Sequence, residues 1–245
     1  MIKHYHFGKL IKLKDMINDY FDKLICINLD KRKDRLQESW KQWSANNLIV
    51  ERTSAVEGNP MGWRHVAERD AGINAIKRAS WTGAAGCMAS HVNIWKRAKA
   101  EGWKNVLVIE DDCDFIPDLQ RIFAESLEEV PADWDMLYFG GLHEERGGRF
   151  IPEKISENVV KCARMITTTC YAINESCYDL AINSVLAEEP WFYTAVDGYL
   201  AAVVQPKCNA YAFNPPLAWQ RGSHSDIQDG FRDYSTRMKV KYNAK

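Results

Sequence analysis

The run VLVIEDDCDF, residues 106–115, sets Glu110, Asp111 and Asp112 directly after four β-favouring apolar residues, with Asp114 one position past Cys113. Adjacent carboxylates repel one another by on the order of 1 kcal/mol per pair even in water, and by more where solvent is partly excluded. A divalent cation removes that cost. Hard oxygen donors in a short turn suit Mg2+ or Mn2+, which retain waters and complete their shell with substrate phosphates, so the cluster points to a nucleoside diphosphate. A solvated acidic turn fits the same residues, and so short a motif does not separate the two.

The elements that would hold this cluster alternate. LICINL (24–29) reads as a buried strand, and Leu36, Trp40 and Trp43 recur at helical spacing behind Asp34, a candidate cap. LIVERT (48–53) suits a second strand, EGNPMG a turn, and GCMASHVNIWKRAKA a helix with Met88, Val92 and Trp95 on one face and Gly102 at its end. VLVI, DLQRIFAESLEEV and WDMLYF continue as strand, helix and strand, GGLHEERGGRFIPEK reads as a loop, TTTCYAI as a strand and SCYDLAINSVLAEE as a helix. Such alternation predicts an α/β fold, a mostly parallel central sheet flanked by helices, which binds ligands outside the carboxyl ends of its strands. The acidic cluster follows one such end. In the first 22 residues, Leu10, Leu13, Ile17 and Tyr20 form a helical stripe beside several lysines. That helix would pack on its own domain or lie on a membrane surface, so the chain divides into an extension (1–22) and a single domain (23–245).

A length of 245 residues is enough for a core without staples. The balance of 32 Lys+Arg against 33 Asp+Glu gives no basic field for nucleic acid. Seven cysteines, an odd count with no C-x-x-C pair, read as reduced core thiols. With no apolar run of about 20 residues and no signal-like start, the expected location is cytoplasmic, with peripheral contact at the inner face of a membrane compatible.

INLDKRKDRL (27–36), AVEG (55–58), GCMASHVNIWKRA (86–98), VLVIEDDCDF, DWDMLYFGG (133–141), TTTCYAI, VDGYLA (196–201) and SHSDI (223–227) follow one another in an order that resembles glycosyltransferase family 25. That family includes bacterial lipooligosaccharide galactosyltransferases and procollagen galactosyltransferase domains. The resemblance spans about residues 24–228, with Glu57 where the family often has Asp. It implies a GT-A type, Rossmann-like fold and inverting transfer of a hexose, galactose or glucose, from a UDP-sugar to a saccharide or glycoconjugate hydroxyl.

Such a transfer needs a leaving-group stabiliser, a base and alignment. Mn2+ or Mg2+ at the diphosphate is assigned to Asp112, with Glu110 on the same strand face by two-residue alternation and Asp111 turned toward the ribose or uracil. Asp114 and His224 are further candidate ligands. Asp197, an isolated carboxylate in WFYTAVDGYLAAVV, would be raised by burial toward a useful base, although a capping role suits it too; Glu144 or Glu145 is the fallback. Ser90 and His91 match the family's SH pair as donor contacts, in a helix expected to begin near Gly86 with an N-terminus favouring phosphate. A lone histidine is more often a satisfied structural residue. Asn28, Asp30 and Arg35 match the family's first-strand motif and shape the nucleotide pocket, with a surface ion pair the other reading of Arg35. Arg221, His224 and Asp226 lie in a segment, QRGSHSDI, that could close over the diphosphate. Of the rivals, a nucleotidyltransferase usually has a glycine-rich phosphate loop near its first strand, and NLDKRKDRL contains no glycine. A nucleotide-sugar-binding protein without turnover stays open, and metal-dependent UDP release separates it.

Overall fold

The computed structural model describes residues 5–6, 9–10, 16–58, 75–144, 149–187, 195–227 and 230–245. In chain order these form β1 (Tyr5–His6), β2 (Lys9–Leu10), α1 (Ile17–Tyr20), β3 (Lys23–Asn28), α2 (Lys33–Ala45), β4 (Glu51–Ser54), α3 (Ala75–Glu101), β5 (Asn105–Glu110) and β6 (Cys113–Phe115). There follow α4 (Leu119–Leu127), β7 (Met136–His143), β8 (Glu153–Lys154), β9 (Val159–Lys161), β10 (Met165–Asn174), α5 (Glu175–Ala187) and α6 (Val196–Tyr199), which runs into a π turn at Leu200–Val204. β11 (Ala210–Phe213), β12 (Ala218–Gln220), β13 (Ser223–Ser225), β14 (Gly230–Arg232) and α7 (Ser235–Met238) complete the chain.

The central sheet has the order β4-β3-β5-β10-β7-β11-β9-β8. β3 is parallel to β4 and β5, and β11 to β7. β10 lies between β5 and β7, antiparallel to both, so β3, β4, β5, β7 and β11 all point one way. This is the mostly parallel α/β sheet that the alternation predicts, with one reversed strand in its middle.

Alternate side chains of each strand enter two cores. Ile25, Ile27, Val106, Val108, Tyr138 and Tyr171 pack under α3, α5 and α6. Leu24, Cys26, Leu107, Ile109, Phe139 and Ala172 pack under α1, α2 and α4. A sheet covered on both faces needs near-continuous apolar strands, which is why LICIN and VLVI carry so little polar alternation.

Five expectations change. The N-terminal helix is confined to Ile17–Tyr20: Leu10 belongs to β2, and residues 11–15 lie outside the described residues. Ile17 and Phe21 are buried against the sheet, so the end of the supposed extension is part of the domain core. α3 begins at Ala75, which puts Gly86 in mid-helix, where no free N–H groups exist to favour phosphate. Trp40 faces solvent while Trp43 enters the core. The glycines expected to open a loop after WDMLYF lie inside β7, because a Cβ on Gly140 would fall 1.8 Å from Ala218 O and one on Gly141 2.5 Å from Met165 Sδ. EGNPMG is described only through Gly58. All seven cysteines are free thiols, and no helix among the described residues is long and apolar enough to cross a membrane.

Candidate functional site

β3 and β5 run side by side in parallel, Ile27 opposite Glu110, and stop together. Beyond their carboxyl ends opens a cleft of about 380 Å³ walled by Glu110, Asp111, Asp112 and Arg35, by Cys87 and Ser90 of α3, and by Ser225–Ile227. The two motifs on its α3 side hold each other. Ser90 Oγ donates to Gly86 O and accepts the Val56 N–H, both at 2.8 Å, while Gly86 lets the AVEG loop approach so closely that a Cβ there would lie 2.4 Å from Val56 O.

The three carboxylates have three environments. Asp111 accepts Asn28 Nδ2 at 2.7 Å and Arg35 Nη1 at 2.8 Å; burial raises its pKa, against the pull of Arg35. Asp112 Oδ2 lies 3.2 Å from the same guanidinium and accepts Gln220 Nε2 at 3.0 Å, whereas its Oδ1 is buried without a hydrogen-bond partner. Burial, then the neighbouring Glu110 and Asp111 charges, push Asp112 up to about 7 despite Arg35. Burial also works to raise Glu110, but His91, Thr168 and Arg35 outweigh it and leave that carboxyl below its ordinary value. Thr168 Oγ1 donates to Glu110 Oε1 at 2.6 Å, and His91 Nε2 stands 3.4 Å from the same oxygen.

Behind Glu110, His91 Nδ1 and Trp95 Nε1 each lie 2.9 Å from Tyr171 Oη. The indole donates to Tyr171 Oη, and the same hydroxyl meets His91 Nδ1, which orients the ring with Nε2 toward Glu110. His91 is wholly buried and absent from the cleft lining, and it stands behind Glu110.

The remaining candidates separate as follows. Arg35 lines the cleft and is no surface ion pair: besides both aspartates it reaches Ser223 Oγ and His224 O with Nη2, each at 2.7 Å. Asn28 is buried behind Asp111, and Asp30 is exposed, bound by Arg52 and by Ser54 Oγ at 2.8 Å. Asp114 is absent from the cleft lining, and its Oδ1 accepts Arg221 Nη1 at 2.8 Å. Arg221 also holds the Asp111 and Asp112 carbonyls, at 3.0 and 2.7 Å, so it braces the acidic turn from outside the cleft. His224 is exposed on β13 and offers its carbonyl, not its ring, to Arg32 and Arg35; it stands apart from the ligand atoms that cluster at Glu110.

Asp197 is half-buried and outside the cleft lining. Its Oδ2 accepts the Thr167 N–H at 3.1 Å and its Oδ1 the Gly198 N–H at 2.7 Å. Thr167 sits at φ 69°, costly for a β-branched residue, where the β10 register against β7 shifts. Of the fallback bases, Glu144 pairs with Arg164, and Glu145 lies outside the described residues. Gln220, Thr168, Cys87 and Lys31 were not found from the sequence, where nothing local distinguishes them. The donor set fits a hard divalent cation: the orphaned Asp112 Oδ1 and the carboxylate of Glu110 share one wall of the cleft.

Residues 21–184 match the family described as Glycosyltransferase family 25 (LPS biosynthesis protein). A Glycosyltransferase 25 family member of Anopheles gambiae is 32% identical over 161 residues, 61% of this chain and 26% of that protein. Procollagen galactosyltransferase 1 of Danio rerio is 29% identical over 145 residues, 54% of this chain and 24% of its own length. A Bos taurus protein named "Probable inactive glycosyltransferase 25 family member 3" is 27% identical over 135 residues, 49% of this chain and 22% of its own. The chain thus spans about a quarter of the length of these curated relatives. The match to the family covers most of the chain and includes α2, α3 and the acidic turn: the chain belongs to glycosyltransferase family 25.

Proposed function

We propose that this protein is a metal-dependent, inverting glycosyltransferase that moves a hexose from a UDP-sugar to a hydroxyl of a saccharide or glycoconjugate. The observation that carries it is Asp112, a buried carboxylate with one free oxygen, set beside Glu110 in a cleft at the carboxyl ends of parallel strands. Mg2+ or Mn2+ held by these two residues would supply Lewis-acid neutralisation of the departing diphosphate. Arg35, whose Nε is buried and unpartnered, and Lys31 at the cleft mouth offer cationic donors to the same anion. Ser225–Ile227 line the cleft, and on this reading they shield the donor from water that would hydrolyse it. Asp197 is the proposed base, one residue removed through Thr167 from the threonine that holds Glu110. The name of the Danio rerio relative supports galactose as the sugar, and the family's description supports a lipopolysaccharide-type acceptor.

The test is nucleotide release from a panel of UDP- and GDP-sugars with Mn2+, with and without saccharide acceptors. One UDP-sugar should be turned over, Asp112→Asn should abolish metal-dependent turnover, and Asp197→Asn should bind donor but transfer about a hundredfold more slowly. No binding or turnover of any nucleotide sugar would sink the reading. A second reading, donor binding without turnover, is favoured by the two backbone N–H groups that already occupy Asp197. Tight UDP-sugar binding with no release under any acceptor would decide for it.

A further inference from the structure

We propose that Cys87, His91 and Glu110 form a binding site for one borderline-soft dication, Zn2+ first among them, in the α3 wall of the cleft. Cys87 and His91 are four residues apart on α3 and share one helix face. Glu110, at the end of β5, meets that face, and the thiol, imidazole and carboxylate ligand atoms all lie within 4.8 Å of one another. Bonds of about 2.3 Å to sulfur and about 2.0 Å to nitrogen and oxygen span such a triangle after a small inward movement.

The second observation is His91 Nε2. It belongs to a wholly buried ring, finds no hydrogen bond in the protein, and points at Glu110 from 3.4 Å. A buried polar nitrogen left this way costs free energy unless something fills the gap. The surrounding groups are those a metal-ligating histidine and carboxylate require. Tyr171 Oη, braced by the Trp95 indole, would accept the Nδ1–H once Nε2 ligates, and Thr168 steadies Glu110.

Charge favours the same ion. Glu110, Asp111 and Asp112 line the same cleft as Cys87. A wall so rich in carboxylates attracts a dication, and binding transfers the thiol proton to solvent as the sulfur–metal bond forms. A sulfur, nitrogen and oxygen donor set selects Zn2+ or Co2+ over Mg2+, and with Cys87 and Glu110 lining the cleft the fourth position faces its interior. The site does not depend on the sugar-transfer reading, which needs only Glu110 and Asp112. The two donor sets share Glu110 and therefore compete for it.

The experiment is titration of the chelator-stripped full chain with Co2+, followed by absorbance. The expected result is one equivalent bound with a thiolate-to-cobalt charge-transfer band, displaced by Zn2+ and retained against roughly a hundredfold excess of Mg2+. Cys87→Ser should lose the band and weaken Zn2+ binding about tenfold or more, while Asp112→Asn keeps both. In the wild-type chain Zn2+ should also protect Cys87 from alkylation, read by peptide mass, which serves if the serine variant fails to fold. Absence of a thiolate band, a band that survives Cys87→Ser, or unprotected Cys87 overturns the site. Mn2+-dependent sugar transfer without a thiolate band would sink this inference alone; a thiolate band without nucleotide-sugar binding would sink the transferase alone.

Discussion

Arg35 decides how three carboxylates can sit in one turn. Its side chain is only 13% exposed and its guanidinium faces Asp111, whose side chain is 8% exposed, so removing the cation leaves a buried charge uncompensated. Arg35→Met should therefore lower the unfolding free energy by about 3 kcal/mol in denaturant titrations, and Asp111→Asn added to it should recover part of the loss. His143 makes a prediction of another kind. Its ring packs edge-on against Tyr242 with both nitrogens unpartnered, and burial pushes its pKa from 6.5 down to about 4. Above pH 6.5 the ring is neutral folded and unfolded, and it contributes no pH dependence. Between pH 6.5 and about 4 the unfolded chain takes a proton that the folded chain refuses, so stability falls as pH falls. Denaturant midpoints of His143→Gln across that window should show a slope shallower by up to about 1.4 kcal/mol per pH unit, and an unchanged slope would refute the assignment. That Glu110, Asp111 and Asp112 share one turn was legible because they are adjacent in the chain, whereas Arg35 was reached only through its match to the family's first-strand motif. Gln220 was not legible, since its contact with Asp112 bridges 108 residues and no local pattern records it.

At the scale of elements, glycine carried the least legible information. Gly86 and Gly140 resemble turn formers on paper, yet each sits inside a regular element at a point of close backbone approach. Helix propensity alone would favour Gly86→Ala by about 1 kcal/mol. The new Cβ would instead meet Val56 O at 2.4 Å and Gly58 N at 2.7 Å, both backbone atoms that cannot rotate away. The substitution should keep the helical circular dichroism, destabilise by about 1–3 kcal/mol as overpacking does, and displace the AVEG loop from the cleft. UDP binding by calorimetry is the check: affinity equal to wild type would show that the loop does not shape the donor site. The start of α3 was misplaced for a related reason, because GCMASH has the glycine and serine of a helix entrance but lies eleven residues inside the helix.

Across the whole molecule, the alternation of strand and helix announced the parallel strands and the end of the sheet where the cleft opens. The reversal of β10 was silent, since TTTCYAI is equally apolar in either direction and only its partners on both sides set its sense. The joining of the two ends of the chain was partly legible. QRGSHSDI read as a closing segment, and the structure ties it to the first strand's turn: Arg32 pairs with Asp226 and reaches His224 O, and Arg35 holds Ser223 and His224 O. Arg32 and Asp226 are separated by 194 residues, so this latch exists only once the sheet is assembled. Both partners are partly shielded, at 15% and 29% exposed, which lets the pair count for more than a surface bridge. Arg32→Gln should free the strap without touching Asp111 or Asp112. Proteolysis within residues 223–232 should then quicken, and donor hydrolysis should rise relative to transfer as water enters the cleft. Asp226→Asn should do the same, and the double variant should add little to either, because both remove one contact. Additive effects would mean that Arg32 and Asp226 hold the segment through separate contacts, and a strap cleaved no faster than in the wild type would mean that Arg35 alone holds it.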